Sequence, residues 1–271
     1  MQDPVKPIKA TYSKDIEQKK TWYSPVANIY YSARPSYPQE NINHAVNLAQ
    51  LNLDASILEI GCGPGNATVA FAKFGFLMKC IEPNQDFCDL VRDNCASYPN
   101  VTIYNTTFEE WKMETQQQFD AVLSANAFHW IPSEIKYVKA AKALKPGGSL
   151  ILLWNMTPEP KYEIYEAIKE VYQVYAPSLV RYEGAKIQTE ILNDFKKDLL
   201  DSSCFEKLLT KQISCKIAYS IDEYLNLLST LRKLKPQTKK LLFKELRSKL
   251  KSFGNNIQLS FLSAVHIAKK V

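Results

Sequence analysis

Gly61, Gly63 and Gly65 stand at alternate positions in SILEIGCGPGNATVAFAKFG (Ser56–Gly75), directly after a short apolar run carrying Glu59, and they are three of only 8 glycines in the chain. A strand that ends in a glycine-rich turn and enters a helix leaves backbone N–H groups free at the helix start. Glycine also lets a ligand come close to the backbone, so the pattern points to an anion or nucleotide site. The spacing narrows this. A dinucleotide turn wants its third glycine later, and a phosphate-cradling P-loop ends in Gly-Lys-Ser/Thr, whereas Asn66-Ala67-Thr68 supplies no lysine. Glu82 ends the next apolar run, in LMKCIEPN, where an acid can accept both hydroxyls of a ribose. One ribose site with no diphosphate motif points to a nucleoside cofactor that carries something other than phosphates. The competing reading is a tight turn with no ligand.

Such a site needs strands to deliver it. The runs Ser56–Ile60, Leu77–Ile81, Val101–Tyr104, Ala121–Ser124 and Ser149–Trp154 are short and apolar, as expected of strands covered on both faces. Helical patterns lie between them: Asn66–Phe74, Gln85–Ser97 with Asn84 as N-cap, and Ser133–Leu144 capped by Ser133 and stopped by KPGG. Strands alternating with helices give a parallel α/β sheet. Further on, Glu163–Tyr175, Ile191–Leu200, Ile221–Leu231 and Lys235–Phe253 have helical spacing. Lys211–Ser220 and the near-terminal NIQLSFLSAVHIAKK alternate like strands and would close the sheet edge.

Composition bounds the rest. The 271 residues are 46% hydrophobic and 23% charged, ordinary for a globular chain. No apolar run has the length of a membrane span, so no membrane partner is expected, and the polar, proline-bearing start is not a signal peptide. Cys62, Cys80, Cys88, Cys95, Cys204 and Cys215 form no CxxC pair and no Cys/His cluster; no metal site and a reduced, cytoplasmic setting are expected. The net charge of +6 and the basic stretch Leu231–Ser252 raise a nucleic-acid partner. The lysines there interleave with leucines at helical spacing, and no aromatic stacking run accompanies them, so a solvated helix face is the simpler reading.

LEIGCGPGNAT followed by IEPN resembles the class I S-adenosylmethionine-dependent methyltransferases. TTFEEW (Thr106–Trp111), FDAVLSANAFHWI (Phe119–Ile131) and LKPGGSLILLWN (Leu144–Asn155) are similar to further motifs of that family, in the same order. YYSARPSYP (Tyr30–Pro38) resembles a segment of small-molecule enzymes similar to the trans-aconitate methyltransferase group, and YSIDEYLNLLSTL extends the likeness weakly towards the C-terminus. The resemblance implies a doubly wound, mostly parallel seven-stranded sheet with a Rossmann-like methyltransferase fold and a helical lid insertion. The implied division is an N-terminal lid segment (1–40), a cofactor-binding core (41–155), a helical lid insertion (156–205) and a C-terminal completion of the sheet (206–271).

The same resemblance implies S-adenosyl-L-methionine as cofactor and a small-molecule methyl acceptor, on a monomer or weak dimer. Gly61, Cys62, Gly63 and Gly65 would border the methionine part, with Glu59 orienting that loop or reaching the amino group. Glu82 would hold the ribose, and Pro83 and Phe108 would flank the adenine. Thr107 stands at the adenine edge where many relatives have an aspartate. Ser124, Ala125 and Asn126 lie where the fourth strand opens, Asn126 either touching the cofactor's amino-acid end or stabilising a turn. Arg34 suits a carboxylate of cofactor or substrate. Tyr30, Tyr37, Trp130 and Trp154 would line the acceptor side. His129 is the candidate base for a hydroxyl or amine acceptor, or else a structural residue beside Trp130. A nucleic-acid or protein methyltransferase and a cofactor-binding protein without catalysis are the alternatives; the Asn-Pro-Pro-aromatic motif of amino-methylating nucleic-acid enzymes is absent, with SANAFHW in its place.

Overall fold

The computed structural model describes residues 16–113, 118–231 and 235–271. Five parallel strands form the heart of one sheet: β1 (Ser56–Ile60), β2 (Leu77–Glu82), β3 (Val101–Asn105), β4 (Phe119–Ala125) and β5 (Leu144–Asn155). A two-residue strand β6 (Glu159–Pro160) follows, and β7 (Phe205–Ser220) and β8 (Asn256–Lys270) complete the sheet. The order runs β3-β2-β1-β4-β5-β8, with β7 on the outer side of β8; β8 is antiparallel to β5, β6 and β7. Each of the five parallel runs expected from the sequence is a strand, and both C-terminal strands are present, β7 beginning six residues earlier than its alternation suggests.

Strand alternation sends side chains to two cores. Ile57, Met78, Cys80, Leu123 and Ile151 face helices α3 (Gln39–Ala49), α4 (Thr68–Ala72) and α5 (Gln85–Asn94). Leu58, Ile60, Val122, Leu150 and Leu152 face α6 (Ser133–Ala143) and α8 (Ala185–Asp201). A third core joins α7 (Tyr162–Tyr175), α9 (Ile221–Leu231) and α10 (Pro236–Leu250) to Tyr219, Ile257 and Leu259 at one end of the β7–β8 pair. Burying each leucine or isoleucine contributes roughly 1.5–3 kcal/mol.

Helix starts show where local signals hold. The Asn84 side chain accepts the N–H of Phe87 at 3.0 Å, as an N-cap does. Ser133 does not cap α6; it is the first helical residue, Pro132 takes the cap position, and no side-chain cap bond forms there. The Asn66–Phe74 pattern yields only the five residues of α4, because the glycine turn continues through Ala67. Two short N-terminal helices, α1 (Ile16–Thr21) and α2 (Ala27–Ala33), lie outside the sequence pattern, as does α3.

Candidate active site

The C-terminal ends of β1, β2 and β4 open on one cavity, the position where open α/β sheets take ligands. Gly61, Cys62 and Gly63 form its floor, and Glu82 and Pro83 one side. The glycines have separate reasons. Gly61 (φ +67°) would put a Cβ 2.5 Å from the Cβ of Ala127; Gly63 (φ +56°) has open space where its Cβ would point. Both lie in the left-handed region that glycine tolerates. The first N–H groups of the loop are already engaged. Those of Gly61 and Cys62 donate to the Ile81 carbonyl, and that of Gly63 donates to Glu82 Oε2 at 2.9 Å. At Gly61–Gly63 the loop supplies shape and close approach.

Glu82 also accepts the N–H of Asn84 through Oε1 at 2.8 Å. Its side chain is buried, and burial pushes its carboxyl up to about 7 against the pull of those two N–H donors. Glu59, two residues before Gly61, is fully buried on the other face of β1 and does not line the cavity; it faces Cys80, whose thiol is 3.7 Å from Oε2. Desolvation raises its carboxyl to about 7 as well. Strand alternation explains this: Ile60 points towards the cavity, so Glu59 points into the core beneath the loop. Gly65 is likewise behind the wall, packed near Val91.

At the far edge Thr107 and Phe108 line the cavity. The Thr107 hydroxyl is committed to its own turn, 3.1 Å from Glu110 Oε2 and accepting the Glu110 N–H at 3.1 Å. Phe108 serves both the cavity wall and the core, stacked on Trp111 at 6.3 Å. Of the β4 residues, Ala125 and Asn126 line the cavity, while Ser124 points away and donates to the Ile60 carbonyl at 2.9 Å. Asn126 (φ +51°) is a bridge. Its Nδ2 donates to the Asn155 carbonyl and its Oδ1 accepts the Asn155 N–H, each at 2.8 Å. Asn155 Nδ2 in turn reaches the carbonyls of Pro35 and Ser36, at 3.1 and 3.2 Å. One amide pair thus joins β4, β5 and the N-terminal segment.

That segment roofs the cavity. Arg34, Tyr30 and Tyr37 line it. The Arg34 guanidinium is anchored on α9, donating from Nε to the Thr230 hydroxyl at 2.8 Å and from Nη2 to its carbonyl at 3.0 Å, and it lies 5.0 Å from the Tyr30 ring centre. Lys19, Trp22 and Tyr23 complete the roof. Lys19 donates to the Trp130 carbonyl at 2.7 Å, and Tyr23 packs between Phe87 and Trp130 at 5.7 and 6.1 Å. The sequence placed Lys19, Trp22 and Tyr23 within the 1–40 lid segment without singling them out, and it did not single out Asn155; the cluster of aromatic residues in TWYSPVANIYY was the available signal. From the insertion, Met156 and Pro158 reach the cavity, whereas α7 and α8 pack on the flank of the sheet.

His129 and Trp154 do not line the cavity. The imidazole stacks on Phe195 of α8 at 6.2 Å with planes 10° apart, and lies 5.6 Å from the Trp154 ring, which itself stacks on Phe195 at 4.2 Å. Burial lowers its pKa to about 3, with Lys136 adding to the shift. Such an imidazole is neutral near physiological pH and too weakly basic to hold a transferred proton. Among the described residues no cluster of three or more His, Cys, Asp or Glu is placed to hold a metal ion, and no helix is long and apolar enough to cross a membrane.

Sheet order, glycine turn and strand-end acid define a Rossmann-like methyltransferase fold. Residues 57–148 match the family model described as a methyltransferase domain. An uncharacterized methyltransferase of Mycobacterium tuberculosis is 30% identical over 137 residues, which is 51% of this chain and 53% of that protein. This chain therefore spans about half the length of that relative. Among solved structures, a candidate type II methyltransferase of Anaeromyxobacter dehalogenans superposes with a TM-score of 0.65 at 16% identity, covering 87% of this chain and 97% of the other. A phosphoethanolamine N-methyltransferase of Haemonchus contortus, in complex with phosphomonomethylethanolamine and S-adenosylhomocysteine, superposes at 0.55 with 16% identity, covering 94% of this chain and 59% of that one. The match to a methyltransferase domain thus covers about a third of the chain, and the fold is the one these solved methyltransferases share.

Proposed function

We propose that this chain transfers a methyl group from S-adenosylmethionine to a small-molecule acceptor, at a carboxylate or hydroxyl oxygen. The observation that carries the reading is the buried Glu82 carboxylate beside the open face of Gly63, at the mouth of β1 and β2. A nucleoside without phosphates suits that pair. The Gly63 side admits a ligand with no Cβ in the way, and the acid accepts ribose hydroxyls through charge-assisted bonds. The Haemonchus structure, with the demethylated cofactor bound in the same fold, supports this choice.

The sulfonium of that cofactor supplies an activated methyl when bound. The protein's part is positioning. Gly61–Gly63 and Glu82 would hold the donor, Pro83 and Phe108 would flank its base, and the roof of Lys19, Trp22, Tyr23, Tyr30 and Trp130 would exclude water and align the acceptor. A roofed, aromatic-walled cavity suits a small acceptor better than a nucleic-acid strand. An acceptor already ionised near neutrality needs no base from the protein, consistent with His129 lying outside the cavity.

The test has two arms. Calorimetry should give S-adenosylhomocysteine a dissociation constant in the micromolar range or tighter and no binding of nicotinamide dinucleotides; the reverse preference would remove the cofactor assignment. Incubation with isotopically methyl-labelled cofactor and a metabolite extract should yield a labelled small molecule by mass spectrometry. Label found only in protein or nucleic acid would overturn the acceptor class.

A further inference from the structure

Residues 235–251 hold seven Lys or Arg and one Glu, which equals the net +6 of the whole chain. The charge of this protein is therefore concentrated on one helix, α10 and its flanks, and the remaining sequence balances to zero. The inner face of α10 is apolar, with Leu242, Leu246 and Leu250 buried against α7 and α9. Two of its cations are spent locally: Arg247 pairs with Asp222, and Lys249 lies 3.6 Å from Glu170. Lys240, Lys244 and Lys251 project from the outer face at helical spacing, and among the described residues they have no acidic partner. Leu241, next to Lys240, is 49% exposed, and Phe253, at the end of the turn Lys251–Phe253 that follows the helix, is 40% exposed.

We propose that this face docks the protein onto an anionic membrane surface, with Lys240, Lys244 and Lys251 meeting lipid headgroups and Leu241 and Phe253 entering the headgroup–acyl boundary. Charge complementarity favours an anionic partner. The two large apolar side chains decide which one. A phosphodiester backbone gives Leu241 nothing to bury against, whereas an interface takes up an isolated leucine or phenylalanine beside lysines. Chains without a spanning helix reach membranes in this way, by lying on them.

The position of the helix gives the docking a direction. The β5–β8 pairing ends at Asn155 and Ser263, but β7 and β8 run on together to Ser220 and Asn256. The α7–α9–α10 cluster is built on that overhang, beyond the end of β5 where Asn155 lines the cavity. Its link to the roof is direct, through Arg34 and Thr230 of α9. The inference stands on surface charge and exposure, so it survives or falls independently of the methyl-transfer reading.

The experiment is sedimentation of the full chain with phosphatidylcholine vesicles, with and without phosphatidylserine, alongside equal phosphate of duplex DNA and of single-stranded RNA. The expected result is binding to the acidic vesicles, roughly tenfold or more weaker to neutral ones, and weakening with added salt. Lys240→Glu/Lys244→Glu/Lys251→Glu should lose the binding. Leu241→Ser/Phe253→Ser should lose the part that survives high salt. An unchanged melting temperature shows that both variants are folded; Lys→Gln and single-site Ser replacements serve if either is not. No binding to acidic vesicles, tighter binding to nucleic acid than to vesicles, or acidic-vesicle binding that the lysine variants leave intact would each overturn the proposal.

Discussion

Glu82 Oε2 and the backbone nitrogen of Gly63 lie 2.9 Å apart, so the acid that ends β2 holds the glycine loop that ends β1. The same carboxylate is offered to the cavity. Its pKa, raised to about 7 by burial, means that it gains charge across the physiological range. The charged form is the stronger acceptor of hydroxyl hydrogen bonds. S-adenosylhomocysteine affinity should therefore rise as pH increases through about 7 and level off above it. Glu82→Gln should flatten that dependence, and Glu82→Ala should cost roughly 1.5–3 kcal/mol of binding. Calorimetry across pH checks both; a folded Ala variant with parental affinity would take Glu82 out of the site.

Glu59 gives a stability prediction of definite sign. Its folded pKa, about 7, lies above the unfolded value, so folding favours the protonated carboxyl. The stabilisation is complete below the unfolded pKa and is lost as pH rises to about 7. Glu59→Gln keeps the shape and removes the ionisation. The variant should gain on the parent by on the order of 1–3 kcal/mol at about pH 8 and show no gain at about pH 4. Urea denaturation at the two pH values measures the difference, and an equal effect at both would show that Glu59 does not titrate in this way.

His129 works in the opposite direction. Its folded pKa, about 3, is below the ordinary histidine value, so its contribution to stability is present above about 6.5 and is lost as pH falls towards 3. His266, buried in β8 and likewise lowered to about 3, behaves the same way. Neither ring should titrate between about pH 5 and pH 8 by NMR. His129→Gln should keep cofactor affinity, and once an acceptor is known it should keep turnover within about tenfold. A larger turnover loss in a folded protein would restore it as a base.

Asn126 holds the Asn155 backbone, and the Asn155 side chain holds the N-terminal segment, so the two side chains should act separately. Asn126→Ala loses two hydrogen bonds and places a Cβ-bearing residue of lower tolerance at φ +51°. A cost of roughly 2–4 kcal/mol is expected, and Asn126→Gly should recover the backbone part of it. Asn155→Ala leaves the backbone partners of Asn126 in place and removes a separate pair of bonds to Pro35 and Ser36, so the two losses should be close to additive. Hydrogen exchange should also quicken around Pro35–Ser36 in the Asn155 variant, because its side chain is what holds those carbonyls. A combined loss far from the sum would show that the two side chains are coupled in a way their separate hydrogen bonds do not provide.

The sheet was legible because each buried strand is a short apolar run between turn signals, and Glu82 because it ends such a run. What escaped was tertiary. Nothing local distinguishes Glu59, inside the core, from a residue facing the ligand; only the alternation fixed by Ile60 does so. His129 sits in a loop beside the site, and its stacking partner Phe195 is 66 residues away on a helix, so no spacing rule could reveal the pairing. The roof helices α1 and α2 are short and rich in polar and aromatic residues, and their order comes from contacts such as Lys19 with Trp130 rather than from propensity. Asn155 was missed because its role depends on the chain ends of three separate segments meeting.

The 2.5 Å approach of a Cβ at Gly61 to Ala127 has a consequence for how this sequence can drift. Neither position is free to change alone. A methyl group at 61 is blocked by the methyl group at 127, two loops that are 66 positions apart in the chain yet share one void. Descendants of this chain that carry alanine at 61 should carry glycine at 127, and a Gly61→Ala protein should regain part of its fold when Ala127→Gly is added. The glycine loop after β1 and the loop after β4 are thus tied by inheritance: a change selected in one is transmitted, through a single shared carbon's worth of space, to the other.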